Sequence, residues 1–233
     1  GTKVAWNGGV DISDPASGSL FVCDVATGEK MNLTGDREET VTDVKWLDDK
    51  TIAYGVISFQ DSLLYTIAPD SSNRTKLLGS GPIFRGVPSL SENHERFATA
   101  ASTPEHPSEV YVGELGGGMH RLTFNNAALE DVKLGRQEVI EYEAGDGWKI
   151  QGVLIYPVDY QEGQRYPLVV NPHGGPEGTD MNGWYGSYGK WGHILAGQGY
   201  FVFMPNYRAS TGRGVAFCKA NHQDLGGREF LDV

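Results

Sequence analysis

Three stretches in the first half of the chain repeat one pattern, and that repeat limits the possible folds more than any other feature. "SLFVCDVATGEKMNLT" (19–34), "SLLYTIAPDSSNRTKLL" (62–78) and "SEVYVGELGGGMHRLT" (108–123) each read as strand, polar turn, strand. They begin at residues 19, 62 and 108, and so lie 43 and 46 residues apart. A further extended run precedes each one: "GTKVAW", "DDKTIAYGV" and "HERFATAAS". A period of this length with four short strands per unit is the signature of β-propeller blades. Because a propeller ring takes about four to eight blades, three cannot close it. Residues 1–124 are therefore expected to be the C-terminal blades of a propeller, and the chain to be a fragment.

The period is lost after "LTFNNAALEDVKLGR" (122–136), so residues 125–136 are expected to form a linker. Beyond it, "EVIEYEAGDGWKIQGVLIYP" (138–157) predicts a long hairpin turning at Gly145, Asp146 and Gly147. "YPLVVN" (166–171) and "YFVFMPNYR" (200–208) are apolar runs that suit strands buried on both faces. Between them, Trp191, Ile194 and Leu195 recur at helical spacing, and Gly197 and Gly199 can end that helix. "GVAFCKANH" (214–222) reads as another helical segment. Antiparallel entry strands followed by β–α–β–α predict the N-terminal part of a three-layer α/β domain over residues 137–233.

The fold class is thus mixed, a partial propeller followed by the opening of an α/β sheet. A net charge of −11 repels nucleic acid and anionic membrane surfaces, so neither is expected as a partner. No apolar run approaches the length of a membrane-spanning helix. Cys23 in a predicted strand and Cys218 in a predicted helix are too few for a disulfide framework and lack metal-ligand spacing. They leave the compartment open between cytoplasm and periplasm.

Chemistry concentrates in "YPLVVNPHGGPEG" (166–178), an apolar strand ending in Pro172, His173, Gly174, Gly175 and Pro176. The glycines open backbone angles closed to other residues, so that N–H groups can face a ligand, and the prolines stiffen the turn. A histidine-glycine-glycine turn after an early sheet strand is the oxyanion-loop arrangement of α/β-hydrolases; a tight turn without chemistry is the plain alternative. The order of propeller-like repeats, the HGGP turn, "NYRASTGRG" (206–214) and "DLGGREFLDV" (224–233) resembles the prolyl oligopeptidase family of serine peptidases, in its acylaminoacyl-peptidase and dipeptidyl-peptidase branch. The resemblance covers the whole chain. Ala209 stands where that family usually has glycine, while Arg208, Ser210, Thr211 and Gly212 match.

That resemblance implies an oxyanion N–H at Gly175, with His173 as its neighbour in the place where some relatives use a tyrosine hydroxyl. His173 can equally be a core histidine that fixes the turn through a backbone hydrogen bond. Arg208 falls at the carboxyl end of a sheet strand, where α/β ligands bind, or else holds two loops together as an ion pair. The nucleophile of such enzymes sits in G-x-S-x-G, followed by the acid and the histidine. That motif is absent here: "YGSYG" around Ser187 has tyrosine where the first glycine belongs, so by family order the triad is expected after Val233.

The resemblance implies a serine peptidase that hydrolyses short peptides through an acyl-enzyme, with no metal or organic cofactor and with this fragment inactive by itself. An esterase on the same scaffold and a non-catalytic propeller-hydrolase interaction module are the alternatives. "GRGVAF" (212–217) fails as a dinucleotide fingerprint because Phe217 replaces its last glycine, and the six histidines are dispersed.

Overall fold

A computed structural model describes residues 1–175 and 177–233; Pro176, one of the two prolines expected to stiffen the HGGP turn, lies outside the described residues. The chain is mostly β-sheet with a few short helices. The first sheet holds β1 (Lys3–Gly8), β2 (Ser19–Asp24) and β3 (Lys30–Asn32), and the second holds β4 (Thr40–Trp46), β5 (Ile52–Ser58), β6 (Asp61–Ile67) and β7 (Thr75–Leu78). The third holds β8 (Ile83–Phe84), β9 (Ser89–Leu90), β10 (Arg96–Thr103), β11 (His106–Glu114) and β12 (Met119–Arg121). All three are antiparallel.

The second sheet is sandwiched, because β5 is apolar on both faces. Its alternation sends Ile52, Tyr54 and Val56 toward Leu20, Val22 and Leu33 of the first sheet. Ala53 points the other way, toward Phe84, Phe97 and Tyr111 of the third sheet. Gly55 lets the layers touch: a Cβ there would stand 2.7 Å from the Gly86 carbonyl oxygen.

The fourth sheet is of a different kind. It runs β13 (Gln137–Glu143), β14 (Lys149–Ile155), β16 (Phe201–Asn206), β15 (Leu168–Val170), with the β15–β16 pair parallel and the others antiparallel. Two short helices, α1 (Gly192–Gly197) and α2 (Gly214–Cys218), pack on it. Of the face that the spacing predicts for α1, Leu195 packs against the core but the other two residues do not. Trp191 and Ile194 are exposed, whereas Gly192 and Ala196 are buried, because a Cβ at Gly192 would already stand 2.5 Å from Ile155 Cδ1. Close approach to the sheet selects the small residues. β15 also departs from a strand covered on both faces: Leu168 and Val170, on one face of the strand, are exposed, and the strand lies at the sheet edge, paired with β16 alone. No helix among the described residues is long and apolar enough to cross a membrane.

The antiparallel sheets grip the mixed sheet through backbone and side-chain groups. The Phe59 N–H donates to the Gly212 carbonyl at 2.7 Å, and the Gly212 N–H donates to Thr40 Oγ1 at 2.9 Å. Asn182 N–H donates to the Gln60 carbonyl at 3.0 Å, and Lys219 Nζ reaches Asp11 at 2.9 Å.

Candidate functional site

Because β15 and β16 are parallel, their carboxyl ends lie at one edge, and this brings the His173 turn against the Asn206–Gly214 run. The ladder extends one step past β15, with Asn171 N–H donating to the Phe203 carbonyl at 2.8 Å. Tyr207, just past β16, stacks its ring on His173, with centroids 4.7 Å apart and planes 19° apart. The Tyr207 hydroxyl donates to the His173 carbonyl. Ser210 Oγ donates to the Tyr207 carbonyl at 2.6 Å and lies 2.9 Å from His173 Nε2.

Glycine is required where the turn closes on itself. Gly175 has φ +143°, and a Cβ there would stand 2.6 Å from the amide nitrogens of both Glu177 and Gly178. A Cβ at Gly178 would meet the Gly174 carbonyl oxygen at 2.6 Å and His173 Nδ1 at 2.8 Å. The loop is then fastened to the β16 end by Thr211 N–H donating to the Gly178 carbonyl at 3.0 Å. Asn206 adds two bonds, accepting from the Asp180 N–H at 2.7 Å and donating to the Asp180 carbonyl at 2.8 Å. With both ends tied, the exposed middle of the turn keeps its amides open. Among the described residues, neither the Gly174 nor the Gly175 N–H donates to an acceptor.

Burial holds the His173 imidazole below its ordinary pKa; the Gly174 carbonyl 3.1 Å from Nδ1 acts more weakly in the opposite sense. The ring is therefore neutral near pH 7. Asp180, buried in the wall of a cleft of about 760 Å³ between β10, β11 and residues 179–190, pairs with Lys190. A smaller cavity of about 250 Å³ adjoins the turn itself, lined by Pro172, His173, Tyr207, Glu229, Phe230 and Val233.

Arg208 stands apart from this edge. Its guanidinium donates to Asp232 at 2.6 and 2.8 Å and to Asp146 at 2.8 and 3.0 Å, lies over the Trp148 ring and is 1% exposed. It ties the hairpin turn between β13 and β14 to the 3-10 turn Arg228–Asp232, and those hydrogen bonds hold its charge more firmly than in a free arginine. The structure thus brings His173 and Gly175 together and places Arg208 in an ion-pair clamp. Sequence reasoning missed Tyr207 and Gly178 as members of the turn. It also missed the contact of Ser210 with His173. Their one signal is position, directly after strands whose ends a parallel pairing aligns. Among the described residues, no group of three or more His, Cys, Asp or Glu side chains could hold a metal ion.

No protein-family model matches the chain. Among curated proteins, a probable dipeptidyl-peptidase 5 of Aspergillus terreus is 33% identical over 218 residues, covering 86% of this chain and 28% of that protein. The uncharacterized peptidase YuxL of Bacillus subtilis is 32% identical over 146 residues, 62% of this chain and 22% of its own length. Dipeptidyl aminopeptidase BIII of Pseudoxanthomonas mexicana is 28% identical over 224 residues, 92% of this chain and 32% of its own. Among solved structures, the acylaminoacyl peptidase of Pyrococcus horikoshii superimposes with a TM-score of 0.77 at 19% identity, over 99% of this chain and 35% of that one. The dipeptidyl peptidase 4 of Porphyromonas gingivalis gives 0.70 at 20% identity, over 95% and 31%. The structural likeness is one of fold. The chain spans a third or less of the length of these curated relatives.

Proposed function

This chain belongs to the prolyl oligopeptidase family of serine peptidases, and from that premise we propose that it is part of an enzyme hydrolysing short peptides through an acyl-enzyme. In this reading residues 1–124 are propeller blades, 125–136 the linker, and 137–233 the opening of the α/β-hydrolase domain. Three antiparallel sheets stacked face to face, followed by a sheet with a parallel pair and helices, support that division. Gly175 supplies a backbone N–H to the oxyanion, and the serine, acid and histidine of the triad lie outside residues 1–233, so the segment alone does not turn over substrate.

One observation carries the proposal. Among the described residues, the exposed amides of Gly174 and Gly175 have no acceptor, on a turn whose two ends are fixed by the Tyr207, Thr211 and Asn206 hydrogen bonds. Donors held in place before the reaction stabilise developing negative charge without paying for their own reorganisation. Arg208, engaged by two carboxylates, serves as a structural tie under the hairpin.

The test is steady-state kinetics of the full-length protein on aminoacyl and N-acylaminoacyl chromogenic peptides. Hydrolysis with a pre-steady-state burst of chromophore supports the acyl-enzyme. Turnover of simple carboxylic esters without peptides would move the assignment to the esterase alternative, and failure on both to the interaction module.

A further inference from the structure

We propose that the cleft between the third sheet and residues 179–190 binds a carboxylate of the peptide substrate, with Arg85 on one wall and Lys190 on the other; the role deepens the peptidase reading above and rests on it. Strand alternation at β8 sets the first wall. Phe84 is buried in the core with Ala53, Phe97 and Ala101, so Ile83 and Arg85 turn to the opposite side and line the cleft. The second wall is tied down before any ligand arrives. The Tyr185 hydroxyl donates to the Met181 carbonyl at 2.6 Å, Gln137 Nε2 donates to the Gly183 carbonyl at 3.0 Å, and Trp184 packs on the His193 ring. The walls meet at Gly183, where a Cβ would stand 3.1 Å from Ser102 Oγ and 3.4 Å from Ile83 Cγ1.

The space beside that contact, about 760 Å³, suits a short peptide segment. It adjoins the His173 turn: Thr179 in its wall follows closely on Gly175, and the charges of Asp180 and Lys190 both reach the His173 ring. Its charge runs against the composition of the chain. The protein carries 30 Asp and Glu against 19 Lys and Arg, yet the charged side chains that line the cleft are Arg85, Lys190 and Asp180. The Asp180 side chain is 2% exposed and engaged by Lys190, whose own side chain is 37% exposed, so a ligand meets the ammonium and not the carboxylate. Arg85 is exposed and makes no ion pair among the described residues. A planar guanidinium with uncommitted donors matches the two oxygens of a carboxylate, and the same place repels the amine of a substrate. A peptide brings a carboxylate either as its C-terminus or as an Asp or Glu side chain.

Steady-state kinetics of the full-length protein on short peptides, followed by chromatography of the products, separates these sources. One pair of peptides differs in a C-terminal acid or amide, and a second, amidated pair differs in Glu or Gln. In one of the pairs kcat/KM should be on the order of tenfold to a hundredfold higher for the carboxylate member, with the difference carried by KM, and that pair names the source. Arg85→Gln, which breaks no ion pair of the folded protein, should lose most of the preference, Arg85→Lys should keep part of it, and added salt should weaken it. Equal kcat/KM within both pairs, or a preference unchanged in Arg85→Gln, overturns the proposal. If the protein cleaves no peptide, titration calorimetry with the same four peptides decides separately: carboxylate-dependent binding that Arg85→Gln abolishes keeps the site and overturns the peptidase reading, and absence of such binding overturns both.

Discussion

Asp232 accepts three hydrogen bonds from Arg208, one from its backbone N–H and two from its guanidinium, at 2.6 to 2.8 Å. Both residues are buried, at 0% and 1% exposure, so removing Asp232 takes three hydrogen bonds from Arg208, whose guanidinium water does not reach, and leaves that group Asp146 alone. Asp232→Ala should therefore cost about 3–5 kcal/mol of stability. Asp146, whose side chain is 38% exposed, is the control: Asp146→Ala should cost far less than Asp232→Ala, because solvent screens the pair. Urea unfolding of the full-length variants measures both, and equal losses at the two positions would contradict a buried clamp centred on Asp232.

Gly175→Val should fold and lose turnover. Its φ of +143° and the amide nitrogens 2.6 Å from any added Cβ force the turn to move, and the N–H moves with it. Loss of one oxyanion donor lowers kcat on the order of 10²- to 10³-fold, about 2.7–4 kcal/mol, while KM changes little. Kinetics on the chromogenic peptides, with circular dichroism to confirm folding, decides this. A folded variant with wild-type kcat means that the turn serves no oxyanion.

Ala209 sits at φ +82° and is fully buried. Left-handed backbone costs a non-glycine residue roughly 1–2 kcal/mol, and the buried methyl returns about 0.8 kcal/mol. Ala209→Gly should then raise stability by up to about 1 kcal/mol and leave kcat unchanged. Thermal melts test it, and a clear drop in Tm would show that the methyl packing outweighs the strain.

His193 is packed against Trp184, with centroids 4.5 Å apart, and neither ring nitrogen finds a partner among the described residues. Burial lowers its pKa below 6.5. The unfolded chain therefore binds a proton below that pH that the folded chain resists, so stability is full above 6.5 and falls as the pH drops toward the folded value. His173 contributes in the same sense. His193→Leu should reduce the loss of stability between about pH 7 and 5, as read from urea midpoints. An unchanged slope would mean that the imidazole is solvated after all.

Strand alternation and turn residues made the hairpins of the first half legible, and Gly145-Asp146-Gly147 marked the β13–β14 turn seen in the Glu143–Lys149 register. Spacing placed Leu195 of α1 on the core but misread Trp191 and Ile194, because periodicity reports that a helix is amphipathic but not which small residues a neighbouring sheet admits. Ser210 was visible as a motif match, yet nothing in its neighbourhood signalled a bond to a histidine 37 residues away.

The sequence by itself determined the local vocabulary: an alternation that makes strands, glycines that permit the His173 turn, and a net charge of −11. Those properties depend on residues within one turn or one strand of each other, where sterics and hydrogen bonding act directly. Tertiary structure alone decided that β15 and β16 run parallel, that Tyr207 and Ser210 close on His173, and that Arg208 meets Asp146 and Asp232. A planar ring and a guanidinium each find their partners only after the burial of distant apolar faces has fixed which strand ends meet, and that choice is made by packing summed over the whole core.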